Sequence, residues 1–283
     1  MSVIVPTSLR SALRALDDDP QATVLAGGTD LMVELNSGHR RVSSVIAVSR
    51  IPELRSWSHD PVAGLLHIGA GITYDEIASE PLAVWVPALA QAARTVGSPQ
   101  IRHAATIGGN LGTCSPAGDG LPVLAALDAT VHLASLSGTR SVPFAEFMVG
   151  PKRTVRQAGD LITGVTVPVV RGWQGYTKVG VRNAMVIAVA SAALVVDTDN
   201  RTIRVALGSV GPTIVRCPQA EAFAAEHVDF AEGAVCASDV EQFANLVREA
   251  SRPIDDHRST AAYRRHAVGV LTGRLLRRAF PHV

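Results

Sequence analysis

Two Gly-Gly pairs constrain the fold of this chain more than any other sequence feature. Gly27-Gly28 follows an apolar, strand-like run at residues 23–26 and precedes a helical pattern at residues 30–35. Gly108-Gly109 comes at the end of a loop that begins near residue 97. Successive glycines let backbone N–H groups converge on an anion, and a helix that starts there adds its dipole. Two such turns predict a diphosphate site, with the alternative that each pair only forms a tight turn left open.

Other sequence fingerprints of nucleotide and catalytic sites are absent. Neither glycine turn has the G-x-G-x-x-G or G-x-x-x-x-G-K-[ST] pattern, which disfavours a Rossmann or P-loop nucleotide site. The chain has no G-x-S-x-G nucleophile motif, and its 9 histidines never form an H-x-x-x-H pair. These absences disfavour a hydrolase and a metal site. No metal ligands are therefore expected on this chain.

Composition and charge exclude several classes of protein. The 283 residues are 47% hydrophobic and 18% charged, which excludes disorder of the whole chain. The chain has 26 Lys and Arg residues and 25 Asp and Glu residues. Its net charge is therefore too small to attract a nucleic acid electrostatically. The longest apolar run, residues 185–196, is shorter than the roughly 20 residues of a membrane span. The N-terminus lacks the pattern of a signal peptide, so a cytoplasmic location is expected.

The cysteines indicate reduced thiols rather than a disulfide framework. Cys114, Cys217 and Cys236 are odd in number and far apart. Their spacing also excludes a C-x-x-C zinc or iron–sulfur site on this chain.

Residue patterns predict two domains of mixed helix and strand. The predicted N-terminal elements are a helix near 9–16, a strand at 23–26, a helix at 30–35, strands at 45–48 and 65–68, a capping box at 73–76, helices at 87–96 and 122–127, and strands at 130–134 and 161–167. A glycine-bearing segment at residues 170–175 predicts a boundary, giving domains 1–170 and 171–283. The C-terminal elements are a hairpin of 185–196 with 203–207, and helices 238–251 and 259–280.

The last predicted helix is strongly basic. Its arginines are Arg258, Arg264, Arg265, Arg274, Arg277 and Arg278, and Tyr263, Val270, Leu271 and Leu275 are available for an apolar face. A solvated helix docked by that face is the simpler interpretation. The alternative is a basic surface that contacts another subunit or a membrane.

Both glycine turns resemble the FAD-binding loops of the medium subunit of the molybdenum hydroxylase family. That family includes the flavin subunits of xanthine dehydrogenase and aerobic carbon monoxide dehydrogenase. The resemblance rests on residues 25–31 and 106–119, and continues through 178–184, 206–210 and 253–265. It covers residues 3–280, and the second loop is its most specific part.

The resemblance implies an α+β fold and a cofactor. Residues 1–170 would form a vanillyl-alcohol-oxidase-type (PCMH-type) FAD-binding domain of two α/β subdomains. Residues 171–283 would form a small α+β domain with an antiparallel sheet and helices. The first loop (Leu25, Ala26, Gly27, Gly28, Thr29, Asp30, Leu31) and the second (Thr106, Ile107, Gly108, Gly109, Asn110, Thr113) would hold the diphosphate and ribityl region through amides and hydroxyls.

Three further residues match family positions that contact FAD. Asp119 would accept hydrogen bonds from a cofactor hydroxyl group, and Ile162 would contact FAD from the closing strand. Lys178 would provide positive charge toward the reduced flavin. Val186 stands where the family often has an acidic residue, a departure that leaves the surroundings of the isoalloxazine ring open.

The implied function is electron transfer. In the family, a molybdenum pterin in a large subunit oxidises the substrate, and two [2Fe-2S] centres in a small subunit pass the electrons to FAD. The acceptor would be NAD, a quinone or oxygen, and the expected assembly is a heterotrimer. Two alternatives remain open: a self-sufficient FAD-dependent oxidase or dehydrogenase, and an interaction subunit without flavin.

Overall fold

The computed structural model describes residues 2–282, and its strands form three sheets and a two-stranded ribbon. The strands are β1 (Ser2–Ile4), β2 (Thr23–Leu25), β3 (Ser44–Ala47), β4 (Trp57–Asp60), β5 (Leu65–Gly69), β6 (Thr130–Ser135), β7 (Gly138–Pro143), β8 (Met148–Gly150), β9 (Arg153–Thr154), β10 (Leu161–Pro168), β11 (Gln174–Val179), β12 (Ala190–Asp197), β13 (Thr202–Gly208) and β14 (Val215–Arg216). We call residues 2–168 the N-terminal region and residues 174–282 the C-terminal region.

The helices lie between the sheets and on their faces. They are α1 (Leu9–Asp18), α2 (Leu31–Asn36), α3 (Tyr74–Ile77), α4 (Leu82–Trp85), α5 (Pro87–Thr95), α6 (Pro99–Ala104), α7 (Ile107–Thr113), α8 (Gly120–Ala126), α9 (Phe144–Phe147), α10 (Pro218–His227), α11 (Ala237–Ala250) and α12 (Ala261–Ala279). A 3-10 turn, Pro52–Arg55, precedes β4.

A small parallel sheet opens the N-terminal region. Its strand order is β1-β3-β2, and helix α1 packs on it. Ser8 begins α1 with a reciprocal capping box to Ser11, and Ala12 and Leu16 are buried at helical spacing. Strand β2 therefore ends at the first glycine turn with its position fixed by β3 beside it.

A five-stranded antiparallel sheet forms the second half of the N-terminal region. The strand order is β4-β5-β10-β6-β7, so β10 is central. Helices α5, α7 and α8 contribute to the first core together with inward-facing residues of this sheet, such as Ile68 and Val165. Cys114, at the end of α7, is fully buried in that core.

The C-terminal region is a four-stranded antiparallel sheet, β11-β12-β13-β14, with helices on both faces. All residues of β12 are buried because its side chains alternate between two cores. Ala193 and Val195 belong to the first core, whereas Leu194 and Val196 belong to a second core with α10, α11 and α12. Cys217 lies in the second core, and Cys236 is exposed.

The predicted fold class is confirmed: two α/β subdomains precede a smaller α+β region with an antiparallel sheet. The predicted hairpin is present, with Asp197 opposite Thr202. The boundary near residue 170 stays a prediction, and it falls at residues 169–173, between β10 and β11. No helix among residues 2–282 is both long and apolar enough to cross a membrane.

The predicted strand at residues 185–196 is wrong in its first part. β12 begins only at Ala190, and Met185 has a φ of 50°, which is not extended backbone. The side chain of Arg182 folds back to the carbonyl oxygens of Ala184 and Met185. The carbonyl of Val186 accepts a hydrogen bond from Lys178 instead of a neighbouring strand. Residues 185–189 therefore form a loop, although their composition is that of a strand.

The alternative interpretation of the last helix, a basic surface that contacts a partner, is wrong for Arg264. Arg264 is 4% exposed, and its guanidinium donates to the carbonyls of Val189 and Ser209 and to Asp256. It joins the start of α12 to β12 and β13, so it is not available to a partner. Leu271 and Leu275 pack into the second core, as the simpler interpretation of the helix expects, whereas Tyr263 is 47% exposed.

Candidate functional site

A cleft of about 1090 Å³ lies along the carboxyl end of β2, and both regions contribute to its wall. The β2–α2 loop, helix α7 and residues 152–162 line it from the N-terminal region. Met185, Val186 and Ile187 line it from the C-terminal region. Its volume slightly exceeds the range of about 300–1000 Å³ that is typical of small-molecule sites. The cleft therefore has room for an extended ligand.

The first glycine turn presents open backbone amides to this cleft. Within residues 2–282, the N–H groups of Gly27, Gly28, Thr29 and Asp30 donate to no protein acceptor. Gly28 has a φ of 71°, which favours glycine. A Cβ on Gly27 would lie 1.7 Å from the carbonyl oxygen of Ala104, so only glycine allows this approach. This loop has the form of an anion nest.

The second Gly-Gly pair lies in a helix, whereas the sequence predicts a loop with free backbone N–H groups. Ile107–Thr113 is helix α7, and Thr106 caps it by accepting from the N–H of Gly109 at 2.9 Å. The N–H groups of Ile107 and Gly108 donate to carbonyls of Ile72 and Ala70. The expectation of a second open anion nest is wrong, because these three N–H groups already donate to the Thr106 cap and to the carbonyls of residues 70 and 72. The residues of α7 and its cap can still contact a ligand through their side chains, and the two glycines allow a ligand to approach the backbone closely.

Three buried polar atoms on cleft-lining residues have no hydrogen-bond partner among the described residues, and two of these atoms lie near Gly120. These two are the hydroxyl oxygen of Tyr74 and Oδ1 of Asn110. A Cβ on Gly120 would lie 2.7 Å from the first and 3.3 Å from the second, so the two atoms face the same small space. Burial, with the nearby Asp119 carboxylate, raises the pKa of Tyr74, which keeps its hydroxyl a potential donor. Unpartnered buried polar atoms are costly, and a ligand or water would satisfy them.

An ion pair crosses between the regions at the inner end of the cleft. The carboxylate of Asp119 accepts from Lys178 Nζ at 2.7 Å and from the Tyr176 hydroxyl at 2.7 Å. Burial raises the pKa of the Asp119 carboxyl, and the Lys178 and Tyr176 hydrogen bonds oppose that shift. Burial also raises the pKa of Tyr176, so it remains a donor. Asp119 lines the cleft, and its carboxylate has more acceptor lone pairs than these two hydrogen bonds use.

The structure brings most of the predicted site residues together around one cleft. The lining residues among them are Leu25, Ala26, Gly27, Gly28, Thr29, Asp30, Leu31, Thr106, Gly108, Gly109, Asn110, Thr113, Asp119 and Ile162. Ile107 is 1% exposed, lies in the first core and does not line the cleft.

Lys178 also lies behind the cleft wall rather than on it. Its ammonium group donates to the carbonyls of Thr95 and Val186 as well as to Asp119. All three of its protons are therefore used inside the protein, and its charge is paired with Asp119.

Sequence reasoning missed one wall of the cleft. Lys152, Thr154 and residues 156–160 line it, but no motif marks this segment. Tyr74 was expected only as part of a helix-capping box, which is present as Thr73–Glu76. Residues 185–187 line the cleft because they form a loop, not a strand. Among residues 2–282, no group of three or more His, Cys, Asp or Glu side chains is placed to hold a metal ion.

Known protein families match almost the whole chain. The family described as "FAD binding domain in molybdopterin dehydrogenase" matches residues 1–170, and "CO dehydrogenase flavoprotein C-terminal domain" matches residues 175–279. The glyceraldehyde dehydrogenase medium chain of Sulfolobus acidocaldarius is 34% identical over 276 residues, 96% of this chain and 95% of that protein. The nicotinate dehydrogenase FAD-subunit of Eubacterium barkeri is 35% identical over 75% of this chain and 74% of its own length.

Solved structures agree with these sequence relatives. A chain of quinoline 2-oxidoreductase from Pseudomonas putida 86 superposes with a TM-score of 0.90 at 26% identity, over 99% of this chain and 97% of that chain. A chain of carbon monoxide dehydrogenase from Hydrogenophaga pseudoflava gives a TM-score of 0.89 at 27% identity, over the same shares. The chain therefore belongs to the family of FAD-binding medium subunits of molybdenum hydroxylases, and it is a flavoprotein component of an oxidoreductase.

Proposed function

We propose that the cleft binds FAD and that this subunit passes electrons from the [2Fe-2S] clusters of a partner subunit, through FAD, to an external acceptor. The open amides of residues 27–30 are the observation that carries the proposal. Four N–H groups that have no acceptor among the described residues, all on residues that line one cleft, suit a diphosphate, which presents several acceptor oxygens and negative charge.

The residues present fit the cofactor in two further respects. Gly27 lets the amide loop pack directly against the backbone of Ala104, before α7, where any Cβ would collide, and this close approach fixes the loop at the cleft wall. Tyr74 and Asn110 leave two buried polar atoms to be satisfied at the same cleft. A ligand with hydroxyl groups and a diphosphate matches both the nest and these atoms.

Each proposed site residue has a definite task. Residues 25–31 bind the diphosphate with their amides, and Thr106, Asn110 and Thr113 contribute side chains from α7 and its cap. Asp119 accepts from a hydroxyl group, and Ile162 packs against the ligand from β10. Lys178 acts from behind Asp119, where it fixes the orientation of the carboxylate. FAD, when bound, supplies the exchange of electrons between one-electron and two-electron partners.

Two subunits are proposed as partners: a large chain with the molybdenum pterin and a small chain with the [2Fe-2S] clusters. The relatives named "medium chain" and "FAD-subunit" support a place in such a heterotrimer. Substrate oxidation would occur on the large chain, and NAD, a quinone or oxygen would take the electrons. A cytoplasmic location stays a prediction from the sequence.

The test is the visible spectrum of the purified full-length chain, with chromatography of any cofactor that acid releases. One FAD per chain, without iron or molybdenum, is the expected result. The chain should then co-purify with the large and small subunits when the three are co-expressed. Oxidation of a substrate by the chain alone would instead support a self-sufficient flavin enzyme. A chain that stays colourless with added FAD, both alone and in the assembled complex, would support an interaction subunit without flavin.

A further inference from the structure

Arg156 lines the cleft, and most N–H groups of its guanidinium have no hydrogen-bond partner among the described residues. It lies in the 152–162 wall, and its side chain is partly buried. Nη1 makes one long contact of 3.4 Å to the carbonyl of Asp160, and Nε is buried with no partner among the described residues. A guanidinium has five N–H donors, so most of this group's hydrogen-bonding capacity is unused.

The other basic side chains that line the cleft all have carboxylate partners. Arg40 and Lys152 pair with Glu34, and Arg55 pairs with Glu76 at 3.2 Å. The remaining one, His103, lies 3.3 Å from Asp75. All four are exposed, so water also solvates them. Within residues 2–282, Arg156 is the basic residue of the cleft wall that has no carboxylate at ion-pair distance.

The acidic group nearest in sequence does not serve as that partner. Asp160 pairs with Arg140 at 2.6 Å, and the same oxygen accepts from the N–H of Gln157 at 2.7 Å. Cys114, which lies near Arg156, provides no counter-charge at neutral pH because burial raises the pKa of its thiol to about 11. Arg156 is thus a partly buried cation without an ion-pair partner among the described residues: the Asp160 charge favours its protonated form, but burial outweighs that effect and lowers the pKa of Arg156.

We propose that Arg156 is the counter-charge for the diphosphate of the bound cofactor. This inference rests on the proposed function and adds to it a charged residue that lines the same cleft as the glycine turn. The amides of residues 27–30 supply dipoles but no net charge, whereas a diphosphate carries negative charge. A guanidinium binds phosphate oxygens through two parallel N–H groups, which a lysine cannot reproduce. Arg156 therefore contributes selectivity for a dinucleotide over a flavin without phosphate.

The test compares three ligands on the full-length chain by isothermal titration calorimetry. FAD and ADP both carry the diphosphate, and riboflavin carries the flavin without it. Arg156→Gln should lower the affinities for FAD and ADP by about 10- to 100-fold and leave the affinity for riboflavin within about 2-fold of the parent value. Arg156→Lys should recover part of the loss. The matched control is Arg265→Gln, an exposed arginine on α12, which should change none of the three affinities.

A second measurement separates a binding role from a structural one. The dependence of FAD affinity on salt concentration should be weaker in Arg156→Gln than in the parent chain, because one charge pair is lost. Unfolding by urea reports whether the variant folds, and the Lys variant retains the charge if the Gln variant does not fold. FAD affinity in folded Arg156→Gln within 2-fold of the parent would overturn the inference and leave the proposed function intact. An equal loss for riboflavin would also overturn it. A parent chain that binds none of the three ligands would overturn the inference and the proposed function together.

Discussion

Asp119 and Lys178 form an ion pair 2.7 Å long that joins the N-terminal region to the C-terminal region. The two side chains are 10% and 8% exposed, so neither charge is well solvated. The pair also lies where the cleft meets β11. Its integrity therefore affects both the packing of the regions and the shape of the proposed flavin site.

Removing Lys178 should strongly destabilise the chain. Lys178→Met leaves the Asp119 carboxylate buried without a counter-charge, and we expect a loss of about 3–5 kcal/mol in the free energy of unfolding in urea. The double variant Asp119→Asn/Lys178→Met should recover much of that loss. Arg171→Met is the control, because its pair with Asp199 is 3.7 Å long and highly exposed. It should cost about 0.5 kcal/mol or less. Equal effects in the buried and exposed pairs would contradict this account.

The glycine turn should tolerate no side chain at Gly27. A Cβ there would lie 1.7 Å from the carbonyl oxygen of Ala104, so Gly27→Ala must separate the amide loop from the segment before α7. We expect loss of bound FAD and a lower melting temperature. Gly112→Ala is the matched control in the same cleft wall, since its nearest neighbour would be 3.8 Å from the new Cβ.

In Gly112→Ala, alanine should raise helix stability by about 0.5–1 kcal/mol. The melting temperature of that variant should therefore equal or exceed that of the parent. The account of Gly27 fails if both variants retain FAD equally.

Two buried tyrosines should respond in opposite ways to loss of their hydroxyl groups. Tyr176→Phe removes a hydrogen bond of 2.7 Å to the Asp119 carboxylate and should cost about 1.5–3 kcal/mol of unfolding free energy. Tyr74→Phe removes a hydroxyl that has no hydrogen-bond partner among residues 2–282, so the cofactor-free chain should be as stable as the parent or slightly more stable.

The same Tyr74→Phe variant should bind FAD more weakly, by titration, because the hydroxyl is proposed to meet the ligand. A destabilised cofactor-free Tyr74→Phe chain would show that this hydroxyl has an internal partner.

The start of α12 should give the chain a defined sensitivity to acid. Partial burial raises the pKa of the Asp256 carboxyl, but hydrogen bonds from the N–H of Arg258, the Arg264 guanidinium and the N–H of Ser259 outweigh burial and hold that pKa at about 2. The unfolded chain has a value near 3.8. The folded state therefore gains stability that is complete above about pH 4 and is lost as the pH falls toward about 2.

Asp256→Asn measures that contribution directly. The difference in unfolding free energy between the parent and the variant should be constant from about pH 7 to about pH 5 and should shrink below about pH 4. Urea unfolding at a series of pH values tests this. A difference that grows as the pH falls would contradict the proposed role of Asp256.

Local sequence patterns predict those helices, strands and turns whose signals come from residues close together in sequence. The first glycine turn was found because Gly27-Gly28 has a strand before it and a helix after it, and both signals are local. The central strand β10 has alternating residue types in sequence at 161, 163, 165 and 167, and its predicted range, 161–167, differs from Leu161–Pro168 by one residue. The resemblance to the family predicts the FAD cofactor. Most of the site residues that it indicates lie around one cleft in the structure.

Features that depend on distant partners were not predictable. Residues 185–189 are apolar enough for a strand, but the carbonyl of Val186 is held by Lys178, which comes from β11. The amides at the start of α7 are used because residues 70–72 lie beside them, and nothing near Gly108 in sequence shows this. Arg156 gave no signal either, since an unpaired cation is recognised only when its surroundings are known.

The buried cysteines give each core its own chemical reporter. Burial raises the pKa of the Cys114 thiol to about 11 and that of Cys217 to about 12, and the two thiols lie in different cores. Neither thiol can react with an alkylating reagent until its core opens, whereas the exposed Cys236 reacts at once. The labelling rates of Cys114 and Cys217 therefore measure how often each core opens, and added flavin should slow the first rate more than the second.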